Sequence, residues 1–180
     1  NLVDRQKNQT FDDVYTYFIE KPRTHVGNVY YDFEDLVNAI RENPTGEFRL
    51  GQSMSARNVA SQGKSYIKAE FTGKLLSEDG KRFAIKDLEH PLFNVIKNAT
   101  IKNVNFENVD IDQKNQDDIA TVAQTMNGSS VIEDVKVTGS ISGRNNVAGI
   151  VNYMNDGTRI ENVAFIGKLH STSGNASNLG

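Results

Sequence analysis

Cysteine is absent from the 180 residues. That excludes a disulfide framework, a thiolate metal site and a cysteine nucleophile, and it suits an extracellular protein that manages without oxidative folding. Charge of one sign is not in excess: 20 basic residues stand against 23 acidic ones, for a net charge of −3. No basic stripe or aromatic-interleaved basic run occurs, so no nucleic-acid partner is expected. No apolar run approaches ~18 residues, so no segment here is expected to span a membrane. The chain begins at Asn1 with neither an initiator Met nor a signal peptide. It therefore reads as a piece of a longer protein, and the missing leader says nothing about the parent. Its length suffices for one domain with a sizeable core.

What the sequence does contain is a repeated phrase. "SVIEDVKVTGSIS" (130–142) and "TRIENVAFIGKLH" (158–170) share one frame. Ile132 answers to Ile160, Val135 to Val163, Val137 to Phe165 and Gly139 to Gly167, every pair at the same interval. "ATIKNVNFENVDI" (99–111) carries Ile101, Val104 and Phe106 in the same frame, at a slightly longer interval before the second copy. A companion phrase precedes each copy: "PLFNVI" (91–96), "IATVAQTM" (119–126) and "VAGIVNYM" (147–154). Turn signals follow two of them, at Asn127-Gly128 and Asn155-Asp156-Gly157. A fixed period with punctuation at fixed phase marks a solenoid.

Within each copy, Val-x-Phe or Val-x-Val alternates with period two, as a half-buried strand does. Asn103, Asp134 and Asn162 stand where that alternation breaks, and Asn and Asp tolerate a left-handed backbone best among non-glycine residues. Five residues later come Asn108, Gly139 and Gly167, read as a second corner. Strand, corner, strand, corner describes a mainly β chain wound as a right-handed parallel β-helix of ~28-residue coils. Ile101, Ile132, Ile160, Val104, Val135, Val163, Phe106, Val137 and Phe165 form the expected core ladder. A leucine-rich repeat shares the period but needs an Asn eight residues after the first apolar position. Val109, Ser140 and Lys168 stand there instead.

The first 90 residues show no such period. Phe33, Leu36, Val37 and Ile40 share one helical face between Asp32 and Asn43, with Asp32 as N-cap and Pro44 and Gly46 as the stop. Strands are expected near Phe48–Leu50, Tyr66–Phe71 and Arg82–Leu88. The expected organisation is an arm over 1–28, a helix-plus-strand cap over 29–90, and β-helical coils over 91–180. "NASNLG" (175–180) resembles the opening of a further companion phrase, so the coils are expected to stop as another begins. An uncovered coil of that kind exposes strand edges.

Chemistry is harder to find. His25, His90 and His170 have no zinc-site spacing, so they read as surface or cap residues. Glu133 and Glu161 fall at equivalent positions, roughly 5 Å apart on adjacent coils, which is near the ~5–5.5 Å of a retaining glycosidase pair. Both sit beside a corner, and Lys102 takes that place in the first copy, so a solvated charge ladder is the better account. Asp110, Asp112, Asp117 and Asp118 suggest a calcium loop, but Lys114 stands where a third ligand belongs. No G-x-S-x-G elbow or glycine-rich phosphate loop is present. Asn98-Ala99-Thr100 and Asn175-Ala176-Ser177 are formal glycosylation sequons. Met126, Tyr153 and Met154 read as packing residues.

The block "EFTGKLLSEDGKRFAIKDLEHPLFNVIKNATIKNVNFENVDI" (70–111) resembles the N-terminal region of the streptococcal immunoglobulin A-specific zinc metalloproteases. "NNVAGIV" and "IENVAFIGKL" resemble the Gly-Leu-rich repeats of that family, although "IATVAQ" (119–124) lacks the usual paired glycines. The likeness spans roughly residues 29–180. It implies a large secreted or wall-attached endopeptidase as parent, with zinc held by an H-E-x-x-H motif in a distant catalytic domain. No position here matches that motif, so no catalytic, cofactor-binding or zinc-binding residue is carried over. The implied role is that of a non-catalytic accessory domain. Its partners would be immunoglobulin A, or another large host protein, and the parent's other domains. The alternatives are a stand-alone adhesin or stalk and a carbohydrate-active β-helix using Glu133 and Glu161.

Overall fold

The computed structural model describes residues 25–173. The apolar stretch at 14–19, most of the expected arm, the sequon at Asn175 and the phrase at 175–180 lie outside the described residues.

Thirteen strands and one helix make up the described chain. A short hairpin of β1 (His25–Val26) and β2 (Val29–Tyr30) precedes α1 (Phe33–Glu42). Asp32 caps α1: its Oδ2 accepts from Asp35 N at 3.0 Å, and Phe33, Leu36, Val37 and Ile40 are buried. The remaining strands wind into a β-solenoid of about four turns. β3 (Glu47–Leu50), β5 (Lys74–Ser77), β8 (Thr100–Lys102), β11 (Val131–Gly143) and β13 (Arg159–Ser171) stack in parallel on one face. β4 (Met54–Ser55), β6 (Phe83–Lys86) and β9 (Val104–Gln113) stack on a second face, which the long β11 and β13 continue. β7 (Phe93–Lys97), β10 (Ala123–Asn127) and β12 (Val151–Met154) form the third.

The register explains the spacing. Phe48, Leu75, Ile101, Ile132 and Ile160 fall directly over one another, although the intervals between them in sequence are not all equal. Parallel coiling therefore begins well before residue 91. The upstream coils escape detection because their strands are short and irregular loops separate them. Tyr66–Phe71 is not a strand: its backbone pairs with β7 only through isolated bridges, Ile67 to Phe93 and Phe71 to Ile96. Lys68, Ala69 and Glu70 between those bridges face solvent, so no continuous ladder forms.

Inward positions carry the core. Ile101, Ile132, Val104, Val135, Phe106 and Val137 are fully buried, and each closes over the residue one coil away. Ile160, Val163 and Phe165 face the same way but are only half-buried, because no described coil stacks on β13. Aromatic rings meet through the upstream coils, Tyr30 tilted against Phe48 at 5.8 Å, Phe48 tilted against Phe71 at 6.4 Å and Phe71 stacked on Phe93 at 4.5 Å between centroids.

Asn103, Asp134 and Asn162 take φ of 57, 54 and 52°, and the chain turns there on successive coils. The second set of corners needs correction. Asn108, at φ 51°, is an extra residue in β9, since Phe106 pairs with Val137 but Val109 with Gly139. It is a bulge, not the counterpart of Gly139. Gly167 is not left-handed at all. Glycine is required there by crowding, because a Cβ would lie 1.8 Å from Gly139 O.

Two outcomes test this packing in urea unfolding followed by far-UV circular dichroism. Ile132→Ala should cost about 2–5 kcal/mol, and Ile160→Ala roughly half as much. Gly167→Ala should cost about 1–3 kcal/mol through overpacking alone.

Candidate functional site

A polar groove runs where the irregular segment 56–66, which follows β4, borders the second face. Arg57, Asn58, Asp87, Glu89, Asn108 and Asp110 line a cleft of about 180 Å³. It continues into a shallower one of about 290 Å³ bordered by Glu89, His90, Asp110 and Asp112. Each wall has a local cause. Asp87 and Asn108 sit at left-handed positions (φ 63 and 51°), the first just past β6 and the second at the β9 bulge. Asp110 and Asp112 alternate with buried Val109 and Ile111 and so face outward from β9.

Hydrogen bonds fix the groove's floor. Asp87 accepts from Ser55 Oγ at 2.6 Å and Asn108 Nδ2 at 2.7 Å, and Arg57 approaches at 3.4 Å. The hydroxyl and amide donors, more than the arginine, hold its carboxyl below the usual range. Tyr66 Oη accepts from Glu89 N at 3.0 Å, and its ring meets His90 edge-on at 5.4 Å between centroids. Gln113 Nε2 lies 3.1 Å from His90 Nδ1 and also donates to Lys64 O. Because the amide is a donor, Nδ1 accepts and the imidazole is neutral in this arrangement. Burial pushes His90 below its ordinary pKa, against the pull of Glu89.

Segment 56–66 is strapped down through residues 60–66. Lys64 Nζ donates to Asp117 O and to Gln124 Oε1, the latter at 3.0 Å, and its pKa is lowered by burial. Arg41, from α1, donates to Tyr66 O from Nε at 3.0 Å and from Nη2 at 2.8 Å, and to Ala60 O at 2.8 Å. These tethers were missed in the sequence, where a lone Lys and a helical Arg carry no periodic signal.

The structure disperses the other candidates. Glu133 and Glu161 are neighbours in register, but Glu133 pairs with Lys102 at 3.1 Å and Glu161 with Arg159 at 3.6 Å. That is a charge ladder beside a corner. The four aspartates divide between two places. Asp110 and Asp112 line the groove, whereas Asp117 takes Arg144 through both oxygens at 2.8 and 3.0 Å. The Arg144 contacts hold Asp117 at about 2. Asp118 accepts from Asn146 Nδ2 and Tyr153 Oη, each at 2.8 Å. His25 stacks on Tyr30, His90 sits in the groove and His170 lies on β13. No group of three His, Asp or Glu among the described residues converges as a metal site. A zinc ligand set therefore does not fit these residues.

A family model for the N-terminal region of the M26 IgA1-specific metallo-endopeptidases matches residues 1–139. The chain belongs to that family. It is similar to the zinc metalloprotease ZmpB of Streptococcus pneumoniae serotype 4, with 67% identity over 180 residues, covering all of this chain and 9% of that protein. ZmpC of the same organism is 37% identical over 162 residues, covering 88% of this chain and 8% of that protein. The immunoglobulin A1 protease of Streptococcus sanguinis is 34% identical over 165 residues, covering 90% and 9%. Among solved structures, an IgA1 protease superposes with a TM-score of 0.76 at 29% identity, over 89% of this chain and 12% of that one. The chain thus spans less than a tenth of the length of these curated relatives.

The groove predicts a pH dependence. A neutral, half-buried His90 binds its proton less tightly when folded than when unfolded. Its contribution to stability is complete above the unfolded value of about 6.5 and declines as pH falls below it. The lowered aspartates act only below about pH 4. Between pH 7 and 5, the urea midpoint should therefore fall, and fall less in His90→Gln.

Proposed function

We propose that this chain is a non-catalytic accessory domain of a secreted or wall-attached zinc metalloendopeptidase, and that it recognises or orients a large host protein for cleavage elsewhere. The observation that carries this reading is the family match, joined to a chain with no H-E-x-x-H sequence and no convergent metal ligands among its described residues. A stiff solenoid with an open polar face suits such work, because positioning a scissile segment supplies much of an enzyme's rate advantage. Zinc and the bond-breaking residues belong to another part of the parent. Immunoglobulin A is the first substrate to test, because several relatives are named immunoglobulin A1 proteases. The 67% identity to a zinc metalloprotease named for no substrate keeps other host proteins in the panel.

The carbohydrate-active alternative finds little support, since Glu133 and Glu161 are each engaged by a cation and line neither cleft of the groove. Two measurements test the docking role. Titrating the chain with intact immunoglobulin A1 and with other host glycoproteins should give saturable binding to at least one of them. Deleting the region from the parent protease should raise KM for that protein while leaving cleavage of a short peptide unchanged. Absence of binding at high micromolar concentration, with KM unaltered, would leave a spacer.

A further inference from the structure

The outer face of β9, β11 and β13 presents a row of side chains that nothing in the described chain engages. Parallel register places Asp110, Ser140 and Lys168 in one column, with Ser142, His170 and Asp112, which pairs with Lys114 at 3.7 Å, beside it. Asp110 N donates to Leu88 O at 2.9 Å, which sets Glu89 next to Asp110 at the column's acidic end. Glu89, Asp110, Ser140 and Lys168 are all exposed, and their side chains make no hydrogen bond or ion pair among the described residues. Ile166, two residues before Lys168 and in register with Thr138, is 60% exposed on the same face.

Along this column charge therefore runs from negative through neutral to positive, while Arg57 across the cleft is engaged by Asp87 at 3.4 Å. Adjacent strands lie ~4.8 Å apart, so Asp110 and Lys168 are separated by about 10 Å. An extended polypeptide covers about that distance in three residues. The small Ser140 between them lets a backbone approach closely, and Ile166 offers apolar contact at the basic end. A uniformly negative polymer would meet Glu89 and Asp110, and a uniformly positive one Lys168.

We propose that this face docks an extended segment of another polypeptide lying along the solenoid axis, with a basic side chain over Glu89 and Asp110 and an acidic one, three residues away, over Lys168. The assignment rests on the docking role proposed above and specifies the chemistry of the docked segment. Both ends are solvent-exposed, so each pairing contributes up to about fivefold in affinity and weakens with salt.

A fluorescein-labelled peptide, Gly-Ser-Arg-Ser-Ser-Glu-Leu-Gly, tests this by polarisation titration against the chain at low salt. Variants with two Arg or two Glu at the charged positions serve as controls. The dipolar peptide should bind tightest. Either Asp110→Lys or Lys168→Glu should weaken it about fivefold and the two together about tenfold or more, with the fold checked by circular dichroism. Equal binding of all three peptides, no binding at millimolar concentration, or indifference to the double variant would overturn the proposal. The host-protein titration separates the two readings. A host protein that binds the double variant as well as the native chain ends this assignment and leaves the docking role standing, whereas no host-protein binding, with KM unaltered by deletion of the region, ends both.

Discussion

Every coil of this solenoid must leave and re-enter its sheets at the same phase, and that demands left-handed backbone at fixed places. Nine non-glycine residues among those described have positive φ, and all nine are Asn or Asp. A left-handed residue costs roughly 1–2 kcal/mol, so such positions must be supported. The support comes from neighbouring coils. Asn108 donates to Asp87 at 2.7 Å, Asn146 to Asp118 at 2.8 Å and Asn162 to Asp134 at 2.6 Å, and both members of each pair are left-handed. A side-chain hydrogen bond contributes about 1 kcal/mol net, which is of the order needed. Asn and Asp thus both adopt the left-handed backbone and join the coils.

The inward ladder depends on those corners. With the turns in phase, Ile101, Ile132 and Ile160 superpose and each coil buries the apolar edge of the one before. The same stacking fixes the outer face, since residues alternate across each strand. The groove adds an element that the repeat does not supply, the strap over 56–66. Its tethers come from α1 through Arg41 and from the coil at 117–124 through Lys64. Helix, strap and coils consequently share one continuous core.

Much of this was legible in the sequence wherever strands were long. The phrase in β9, β11 and β13 exposes its period because these strands are long enough to repeat the same apolar positions from coil to coil. Asp32 and the Phe33–Ile40 stripe marked α1 for the same reason, a short-range rule with no competing contact. Phe48 and Leu75 belong to the ladder as fully as Ile132, yet each stands in a strand too short to declare a phase. The groove was invisible because Arg57, Asp87 and Asp110 come from successive coils and meet only after those coils have stacked. Gly167 was read as a corner when its role is clearance, since sequence alone does not separate a glycine needed for φ from one needed for space.

The stacking register also constrains how such a chain can change length. A deletion of one residue inside β11 would turn every following inward side chain of that strand toward water. Removing the whole interval from Ile132 to Ile160 would instead set the last copy of the phrase directly over the first, with apolar groups still opposite apolar groups. Lengthening and shortening are therefore tolerated in units of a full lap, and smaller variation is confined to excursions such as the strap, which leave the winding before residues are gained or lost.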